Sequence, residues 1–236
     1  MRIVLIGHGR MGQLVESLAP SYGCEIAGVV DENSPADAIA RGDFGGATMA
    51  IDFSLAPAVP VNFPALAERR MSVVIGTTGW HAHELSMRAQ AEGAGIGVLA
   101  SANFSIGMQI LQLAVEAAAS AFAVQPAYGA WIHERHHAAK KDAPSGTALT
   151  LKAAMETAGY SRTIDVSSAR AGAAPGIHTV GFDGPSDIVT LTHEVRDRAV
   201  FARGALGAAK WLAGRRGWFG MKDMLEIQNE KFKIQN

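Results

Sequence analysis

One short segment, residues 134–148, holds most of the side chains that could transfer protons or bind an anion. It reads ERHHAAKKDAPSGTA, and five of its first eight residues can carry positive charge. The whole chain, in contrast, has a formal net charge of −1. A positive field confined to one segment suits a small anionic ligand. We therefore expect a binding site for a small anion at this segment.

His136 and Lys140 are the candidate proton-transfer groups. Histidine titrates near neutral pH, so it can donate a proton during a reaction. If residues 136–140 are helical, His136 and Lys140 lie four residues apart on one face and converge. The ammonium would then disfavour the protonated imidazole and lower its pKa, which makes it a readier acid.

The second half of the segment predicts a helix start. Asp142, Pro144 and Ser145 are residue types that favour the first positions of helices. Gly146 and Thr147 would then offer backbone N–H groups and a hydroxyl at the positive end of a helix. Such a terminus binds anions, so we expect Gly146 and Thr147 to bind a carboxylate.

Three other interpretations of this segment stay open. The pair His136-His137 could hold a metal, but adjacent histidines normally point apart and no Cys or carboxylate set completes a ligand shell. The segment could also be a solvated basic turn. A nucleic-acid patch is disfavoured because interleaved aromatic residues are missing. We expect neither a metal nor a nucleic-acid partner. The other histidines default to surface or packing roles: His8, His81, His83, His133, His178 and His193.

A glycine-rich loop lies near the N-terminus, Gly7-His8-Gly9-Arg10-Met11-Gly12, after a β-branched run and before a helical pattern. Glycines at its first, third and sixth positions permit a tight turn, close approach of a pyrophosphate, and close helix–sheet packing. Asp31 ends the next apolar run, where an acidic side chain binds ribose hydroxyls. The pattern predicts dinucleotide binding; an ordinary helix start with a solvated Asp31 is the alternative.

Two further loops could hold the nicotinamide half of such a cofactor. Gly76-Thr77-Thr78-Gly79 and Ser101-Ala102-Asn103-Phe104 each follow an apolar run, at the strand end where open α/β sheets bind ligands. Asp31 is followed by Glu32 and Asn33, with no nearby Arg to neutralise a 2′-phosphate. The carboxylates would repel that phosphate, so we expect NADH to be preferred over NADPH.

The bulk composition indicates a globular protein in a reducing compartment. The 236 residues are 18% charged and 48% hydrophobic, which argues against disorder. The single cysteine, Cys24, cannot form an internal disulfide and is expected to pack in the core. No run reaches the roughly 18 uninterrupted apolar residues of a membrane span. We expect a cytoplasmic protein with no membrane partner.

The first hundred residues predict a doubly wound α/β domain. Short apolar runs alternate with helical patterns, as in parallel sheets covered by helices on both faces. The predicted strands are 3–6, 26–30, 49–53, 72–75 and 97–99, and the predicted helices are 11–18, 61–70 and 82–92.

After Phe104 the pattern changes to a mixed α+β domain. Helices are predicted at 105–122 and 145–158, and strands at 128–133, 177–182 and 187–193. A last helix at 198–213 could return to the first domain. We therefore expect residues 1–104 and 198–227 to form a dinucleotide-binding domain, and residues 105–197 to form a domain for substrate binding and oligomerisation. The polar residues 228–236 are expected to be a flexible tail.

Several motifs in chain order resemble the dihydrodipicolinate reductase family over the chain up to about Ile227. The most specific is the string of His136-His137, Lys140 and Asp142-Ala143-Pro144-Ser145-Gly146-Thr147-Ala148. The supporting motifs are the two loops above, Gly7–Gly12, Ala102–Gly107, Glu134, Pro175–His178, Phe201–Leu206 and Gly217–Leu225.

The resemblance implies a Rossmann-like domain built from both chain ends, a mixed α+β domain, and a homotetramer assembled largely through the latter's sheet. It implies His136 as proton donor, Lys140 as second catalytic group, and His137, Gly146 and Thr147 as ligands of the substrate carboxylates. Its cofactor contacts fall on the Gly7 loop, Asp31, Gly76–Thr78 and Ser101–Phe104. The implied reaction reduces 4-hydroxy-tetrahydrodipicolinate, a small dicarboxylate, with NADH or NADPH.

Two other functions remain open at this point. Another NAD(P)-dependent dehydrogenase of small substrates would explain the Gly7 loop but not the string from Asp142 to Thr147. A catalytically silent NAD-binding or scaffolding protein would use the histidines and lysine only for structure.

Overall fold

The computed structural model describes residues 1–225, and it divides into two compact units. Among the described residues, unit 1 contains Met1–Ser105 together with residues 199–225, and unit 2 contains Ile106–Arg198. The predicted tail at 228–236 lies outside the described residues.

Unit 1 is built on a six-stranded sheet in which every neighbouring pair is parallel. Its strands are β1 (Arg2–Ile6), β2 (Glu25–Val30), β3 (Met49–Asp52), β4 (Ser72–Ile75), β5 (Gly97–Ala100) and β10 (Gly217–Phe219). The order across the sheet is β10-β5-β4-β3-β1-β2. From β1 the chain runs first to one neighbour, β2, and then to the other, β3. The strand order therefore reverses beside β1, where open α/β sheets leave a crevice for ligands.

Both faces of this sheet are covered, which explains the continuous apolar runs. Ile3, Val4, Leu5 and Ile6 are at most 1% exposed. Successive side chains point to opposite faces, so Val4 and Ile6 belong to one core cluster and Ile3 and Leu5 to the other. The covering helices are α1 (Arg10–Leu18), α2 (Ala38–Arg41), α3 (Ala58–Glu68), α4 (Glu84–Ala94) and α7 (Ala199–Leu212).

Helix α7 packs into unit 1, although the whole of unit 2 precedes it in the chain. Its buried face carries Ala202, Ala205, Leu206 and Ala209, all fully buried. Small side chains on this face let the helix lie close to its neighbours. Cys24 is buried in the same core cluster, as its strand context predicts.

Unit 2 has a mixed four-stranded sheet with the order β7-β6-β8-β9. The strands are β6 (Gly129–His136), β7 (Ile164–Arg170), β8 (Gly176–Asp183) and β9 (Ile188–Val195), and the helices are α5 (Ile106–Ala123) and α6 (Gly146–Thr157). β6 pairs with β7 in parallel and with β8 antiparallel, and β8 and β9 are antiparallel. The fold class predicted from the sequence is thus confirmed in both parts.

Helix α5 is long and apolar enough, by length and composition, to cross a membrane: it has 18 residues and a mean hydropathy of 1.4. One stripe of it packs in the core of unit 2, where Met108, Leu111, Val115 and Ala119 are buried, and 22% of its residues are buried. Arg162 closes its C-terminal end by donating hydrogen bonds to the carbonyl oxygens of Phe122, Ala123, Gln125 and Tyr128 at 2.7–3.2 Å.

The helix considered for residues 136–140 does not form, so that expectation is wrong. β6 continues to His136, because its last residues pair with β7 up to His136 beside Arg170. Residues 137–145 then form a loop without helix, so no helical repeat brings His136 and Lys140 together. The sequence also failed to predict α2, β7 and β10, which are short or lack a regular apolar pattern.

Candidate active site

The glycine loop of unit 1 has the backbone geometry that its spacing predicts. Gly7 has φ +88°, and a Cβ there would lie 2.6 Å from the Phe53 carbonyl oxygen. A Cβ on Gly12 would lie 2.2 Å from the Gly7 carbonyl oxygen. α1 begins at Arg10 with Gly9 as its N-cap and no side-chain cap. The loop therefore leaves the first N–H groups of α1 for an anion, as a pyrophosphate site requires.

A cavity of about 540 Å³ opens at this loop, at the point where the strand order reverses. Of the predicted cofactor residues, Gly7, His8, Gly9 and Asp31 line it. The residues after β3 also line it, a contribution that the sequence analysis missed. The signal was available, because 53–55 follow a strand's carboxyl end just as the two predicted loops do. These additional residues are Phe53, Ser54 and Leu55.

Asp31 caps its own turn within this cavity. Its Oδ1 accepts hydrogen bonds from the Asn33 N–H at 2.9 Å and the Ser34 hydroxyl at 3.3 Å. Glu32 lines the same cavity, so two carboxylates face it, and none of its lining residues is a lysine or arginine. His8 also lines it, with its Nε2 2.7 Å from Glu16.

A second cavity, of about 250 Å³, lies at the carboxyl ends of β4, β5 and β10. Thr77, Ser101 and Ala102 line it. Thr77 is fixed by the buried carboxylate of Asp52, whose Oδ1 accepts its hydroxyl at 3.0 Å. The other predicted cofactor residues line neither cavity, and Phe104 is buried in the core. These residues are Arg10, Met11, Gly12, Gly76, Thr78, Asn103 and Phe104.

In unit 2, His136 is buried against Glu134, which lies two residues earlier and on the same face of β6. His136 is 7% exposed and Glu134 is fully buried. The imidazole Nδ1 is hydrogen-bonded to Glu134 Oε2. Arg170, at the end of β7, donates to both oxygens of Glu134, from Nη1 at 2.9 Å and from Nη2 at 2.6 Å. The carboxylate thus lies between an imidazole and a guanidinium.

Helix α6 begins beside this pair, and Ser145 connects the two. The Ser145 N–H donates to Glu134 Oε1 at 3.1 Å. Its hydroxyl accepts the Ala148 N–H at 3.2 Å, which makes Ser145 the N-cap of α6 as predicted. The same hydroxyl lies 3.1 Å from His178 Nε2. Gly146 and Thr147 are therefore the first two residues of a helix, at its positive end.

Lys140 and His137 lie on the loop between β6 and α6. The Lys140 ammonium donates to Asp142 Oδ1 at 2.7 Å, and this bond lowers the pKa of the Asp142 carboxyl. The Gly146 N–H also bonds to that carboxyl. His137 Nε2 lies 3.0 Å from Arg198 Nη2. Asp142 thus contacts the Lys140 ammonium and the Gly146 N–H, two of the donors predicted to form the site.

Burial governs the protonation of the histidines in this site. It lowers the pKa of His136; Glu134 opposes that shift, while Lys140 and Arg170 add to it. Burial also lowers the pKa of His178 to about 4. Burial would raise the pKa of Glu134, but the hydrogen bonds from Arg170 and its other donors hold that pKa at about 2. Glu134 is therefore ionised near neutral pH, beside an imidazole whose pKa is lowered.

Within the described residues, one group could offer a metal three ligand atoms: Glu134, His136 and His178, whose ligand atoms lie within 4.8 Å of one another. Arg170 donates to both Glu134 oxygens, so a cation there would face a guanidinium. Sequence reasoning missed this association. Arg170 and His178 lie 36 and 44 residues from Glu134, and only the pairing of β7 and β8 with β6 places them there.

Two family models match the chain. The C-terminal model of dihydrodipicolinate reductase matches residues 107–225, and the N-terminal model matches residues 1–104. The 4-hydroxy-tetrahydrodipicolinate reductase of Caldanaerobacter subterraneus subsp. tengcongensis is 34% identical, covering 96% of this chain and 98% of the relative. That of Stenotrophomonas maltophilia is 37% identical with the same coverage.

Solved structures show the same fold. A dipicolinate-bound dihydrodipicolinate reductase from Paenisporosarcina sp. TG-14 superposes with a TM-score of 0.78 at 20% identity, covering 93% of this chain and 97% of that one. A probable dehydrogenase from Thermotoga maritima gives a TM-score of 0.60 at 10% identity, covering 94% of this chain and 92% of that one. With both family models and relatives above 30% identity over nearly its full length, this chain belongs to the dihydrodipicolinate reductase family.

Proposed function

We propose that this protein reduces 4-hydroxy-tetrahydrodipicolinate to tetrahydrodipicolinate in lysine and diaminopimelate biosynthesis. One NAD(P)H and one proton are consumed, and NAD(P)⁺ and water are released. The observation that carries the proposal is the pairing of a buried His136–Glu134 couple with the N-terminus of α6 in a chain of this family.

His136 is the proton donor in this proposal. Hydride arriving at a conjugated imine places negative charge on the ring, and a positioned acid offsets that charge as it develops, typically by ~10²–10⁴-fold in rate. A lowered pKa suits this role, because the imidazolium gives up its proton more readily. Lys140 is the second catalytic group, and its ammonium adds positive potential beside the ring.

His137, Gly146 and Thr147 bind the carboxylates of the substrate. Gly146 and Thr147 supply N–H groups at the positive end of α6, and Thr147 adds a hydroxyl. Asp142 already contacts Lys140 and the Gly146 N–H. An incoming carboxylate therefore competes with Asp142 for these donors.

The cofactor is a nicotinamide dinucleotide, which supplies the hydride when bound. Gly7 and Gly12 fit this group, because a side chain on either would collide with backbone where the loop turns. Arg10, Met11 and the first turn of α1 border the pyrophosphate. The loops 76–78 and 101–104 hold the nicotinamide half. Asp31 and Glu32 favour NADH over NADPH, because both would repel a 2′-phosphate.

We expect a cytoplasmic homotetramer assembled through the sheet of unit 2. One face of that sheet carries exposed side chains on all four strands, among them Asp165, His133, Thr192 and Glu194. β9 is an edge strand that also exposes Ile188 and Val189. A long edge with exposed apolar residues favours contact with another copy. Native mass spectrometry would test this, and a monomer at working concentration would refute it.

The proposed reaction is tested by following NADH absorbance with enzymatically generated 4-hydroxy-tetrahydrodipicolinate, and by repeating the assay with NADPH. We expect oxidation of both cofactors, with the higher kcat/KM for NADH. A clear preference for NADPH would refute the cofactor assignment alone. If neither cofactor is oxidised at any pH while NADH still binds, the protein is a silent NAD-binding member of the family.

A further inference from the structure

Glu134 is the most completely hydrogen-bonded side chain of the candidate site. Oε2 contacts His136 Nδ1 and Arg170 Nη1, and Oε1 contacts Arg170 Nη2 and the Ser145 N–H. Every one of these partners except the imidazole can only donate. The Ser168 hydroxyl also hydrogen-bonds to this carboxylate, so its donors fill the acceptor capacity of an ionised carboxylate.

This environment determines which imidazole nitrogen carries a proton. With its pKa held at about 2, Glu134 is ionised at neutral pH. An ionised carboxylate only accepts hydrogen bonds, so Nδ1 of His136 must be the donor. Nε2 is then the nitrogen that gains and loses the exchangeable proton.

The surroundings of Nε2 are open on one side because residue 176 is glycine. A Cβ on Gly176 would lie 2.9 Å from His136 Nε2 and 3.2 Å from Cδ2. Any larger residue would therefore cover the nitrogen. His178 packs on the imidazole edge, with ring centroids 5.1 Å apart and an interplanar angle of 76°.

We propose that Glu134, clamped by Arg170, is a positioning residue that holds the Nδ1–H tautomer of His136 and so presents Nε2 as the proton-donating atom. The catalytic half of this inference rests on the proposed function. Glu134 touches neither substrate nor cofactor in this scheme and acts through His136.

The Glu134–Arg170 pair also connects His136 to residues 142–145, the turn that leads into α6. Glu134 holds the Ser145 N–H at the start of α6, and Arg170 Nη2 donates to the Asp142 carbonyl oxygen at 2.5 Å. The two ends of residues 142–145 are thereby fixed to the carboxylate that orients His136. Arg170 and Glu134 therefore set the distance between His136 and the start of α6, where Gly146 and Thr147 bind a carboxylate.

The tautomer is tested directly by ¹⁵N NMR of histidine-labelled protein without substrate, with the His136 signals assigned through His136→Gln. We expect protonated Nδ1 and unprotonated Nε2 in the neutral ring. In Glu134→Gln, a donor NH₂ group replaces one of the two acceptor oxygens, so the Nδ1–H tautomer is lost. An Nε2–H tautomer in the unmodified protein, or an unchanged tautomer in folded Glu134→Gln, overturns the proposal.

The pH profile of kcat gives a second readout. Four ionisable groups surround His136: Glu134 on β6, Arg170 on β7, His178 on β8 and Lys140 on the loop. Removing the anion in Glu134→Gln lowers kcat by ~10²–10⁴-fold and moves the high-pH loss of activity to lower pH. Removing the cation in Arg170→Gln moves it to higher pH, with a loss of at most ~10–100-fold.

These opposite displacements separate positioning from a merely structural role, which would leave the profile in place or move both variants alike. Such a result overturns the proposal. Glu156→Gln is the matched control, because Glu156 is an exposed glutamate of α6 that pairs only weakly with Lys152, at 4.0 Å. Failure of the proposed function is distinguishable, because the tautomer measurement needs no turnover.

Discussion

The two units prepare their candidate binding sites by different means. Unit 1 uses backbone: the Gly7–Gly12 loop and the uncapped start of α1 lie within a few consecutive residues. Unit 2 uses side chains from separate segments: His136 and Glu134 from β6, Arg170 from β7 and His178 from β8. A backbone site needs small residues at fixed spacing, whereas a side-chain site needs correct strand pairing before it exists.

The comparison predicts that the largest single effect on catalysis comes from the side-chain site. His136→Gln should lower kcat by ~10²–10⁴-fold, because the positioned acid is lost, with little change in substrate KM. Steady-state kinetics measures both constants. The matched control is His133→Gln on the opposite face of β6, where His133 Nδ1 lies 2.9 Å from the Ser167 hydroxyl. A small effect at His136, equal to that control, would place the acid elsewhere.

Lowering the pH should lower the free energy of unfolding of unit 2, through His178, and raise that of unit 1, through Asp52. The folded-state pKa of His178 is about 4, below its ordinary 6.5, so its contribution is complete above pH 6.5 and is lost as the pH falls toward 4. The loss amounts to about 3 kcal/mol in the free energy of unfolding. Burial raises the pKa of Asp52, so folding of unit 1 gains from its protonation at low pH.

Hydrogen exchange, corrected for the intrinsic chemical rate, measures this contrast at the amides of Val180 in unit 2 and Ile51 in unit 1. His178→Asn keeps a polar partner for Ser145 and should remove most of the acid sensitivity of Val180. Equal acid sensitivity of both amides in the unmodified protein would contradict the assignment.

The backbone site can be dissected with two glycine substitutions. Gly12→Ala places a methyl group against the Gly7 carbonyl oxygen and should cost about 1–3 kcal/mol, seen as a lower melting temperature and weaker NADH binding. A Cβ on Gly9 would meet no atom within 4 Å, so Gly9→Ala should weaken NADH binding without a stability loss. Titration calorimetry and thermal unfolding measure the two quantities.

Gly93→Ala is the control, since Gly93 lies in α4 with open space around it. Unchanged NADH affinity in both Gly9→Ala and Gly12→Ala would mean that the pyrophosphate does not bind at this loop.

The smallest effect is expected from the carboxylate-binding residues at the start of α6, Gly146 and Thr147. Thr147→Val removes one hydroxyl but leaves the N–H groups of α6, so substrate KM should rise about 10-fold with kcat nearly unchanged. Exposed Thr150 bonds only to the Gly146 carbonyl oxygen, at 3.0 Å, which makes Thr150→Val the control. If kcat falls as much as KM rises, Thr147 acts in the transition state instead of binding the ground state.

The sequence predicted what local patterns determine. The strands of unit 1 carry apolar residues on both faces, and the start of α6 carries Ser145 at the capping position, so both were predicted. The Gly7 loop was found for the same reason, because its requirement is a spacing of glycines.

What the sequence did not predict depends on partners distant in the chain. Arg170 ends a strand whose sequence has no regular apolar pattern. It donates to Glu134 because the pairing of β7 with β6 places it beside His136. His178 is buried and packs on the His136 ring, in line with the packing role predicted for it, but the contact of its Nε2 with the Ser145 hydroxyl was not predicted. The helical expectation at 136–140 failed because pairing with β7 outweighs local helical spacing.

The position of unit 2 inside the sequence of unit 1 has a consequence for biosynthesis. Residues 106–198 leave the ribosome as one uninterrupted stretch and contain all four strands of their sheet. The sheet of unit 1, in contrast, stays incomplete until α7 covers one face and Gly217–Phe219 adds its edge strand. Because a contiguous stretch can fold during translation, unit 2 can complete its fold before unit 1 does. A nascent chain from which residue 198 has just emerged from the ribosome would therefore carry a complete unit 2 and a unit 1 with part of its core still exposed.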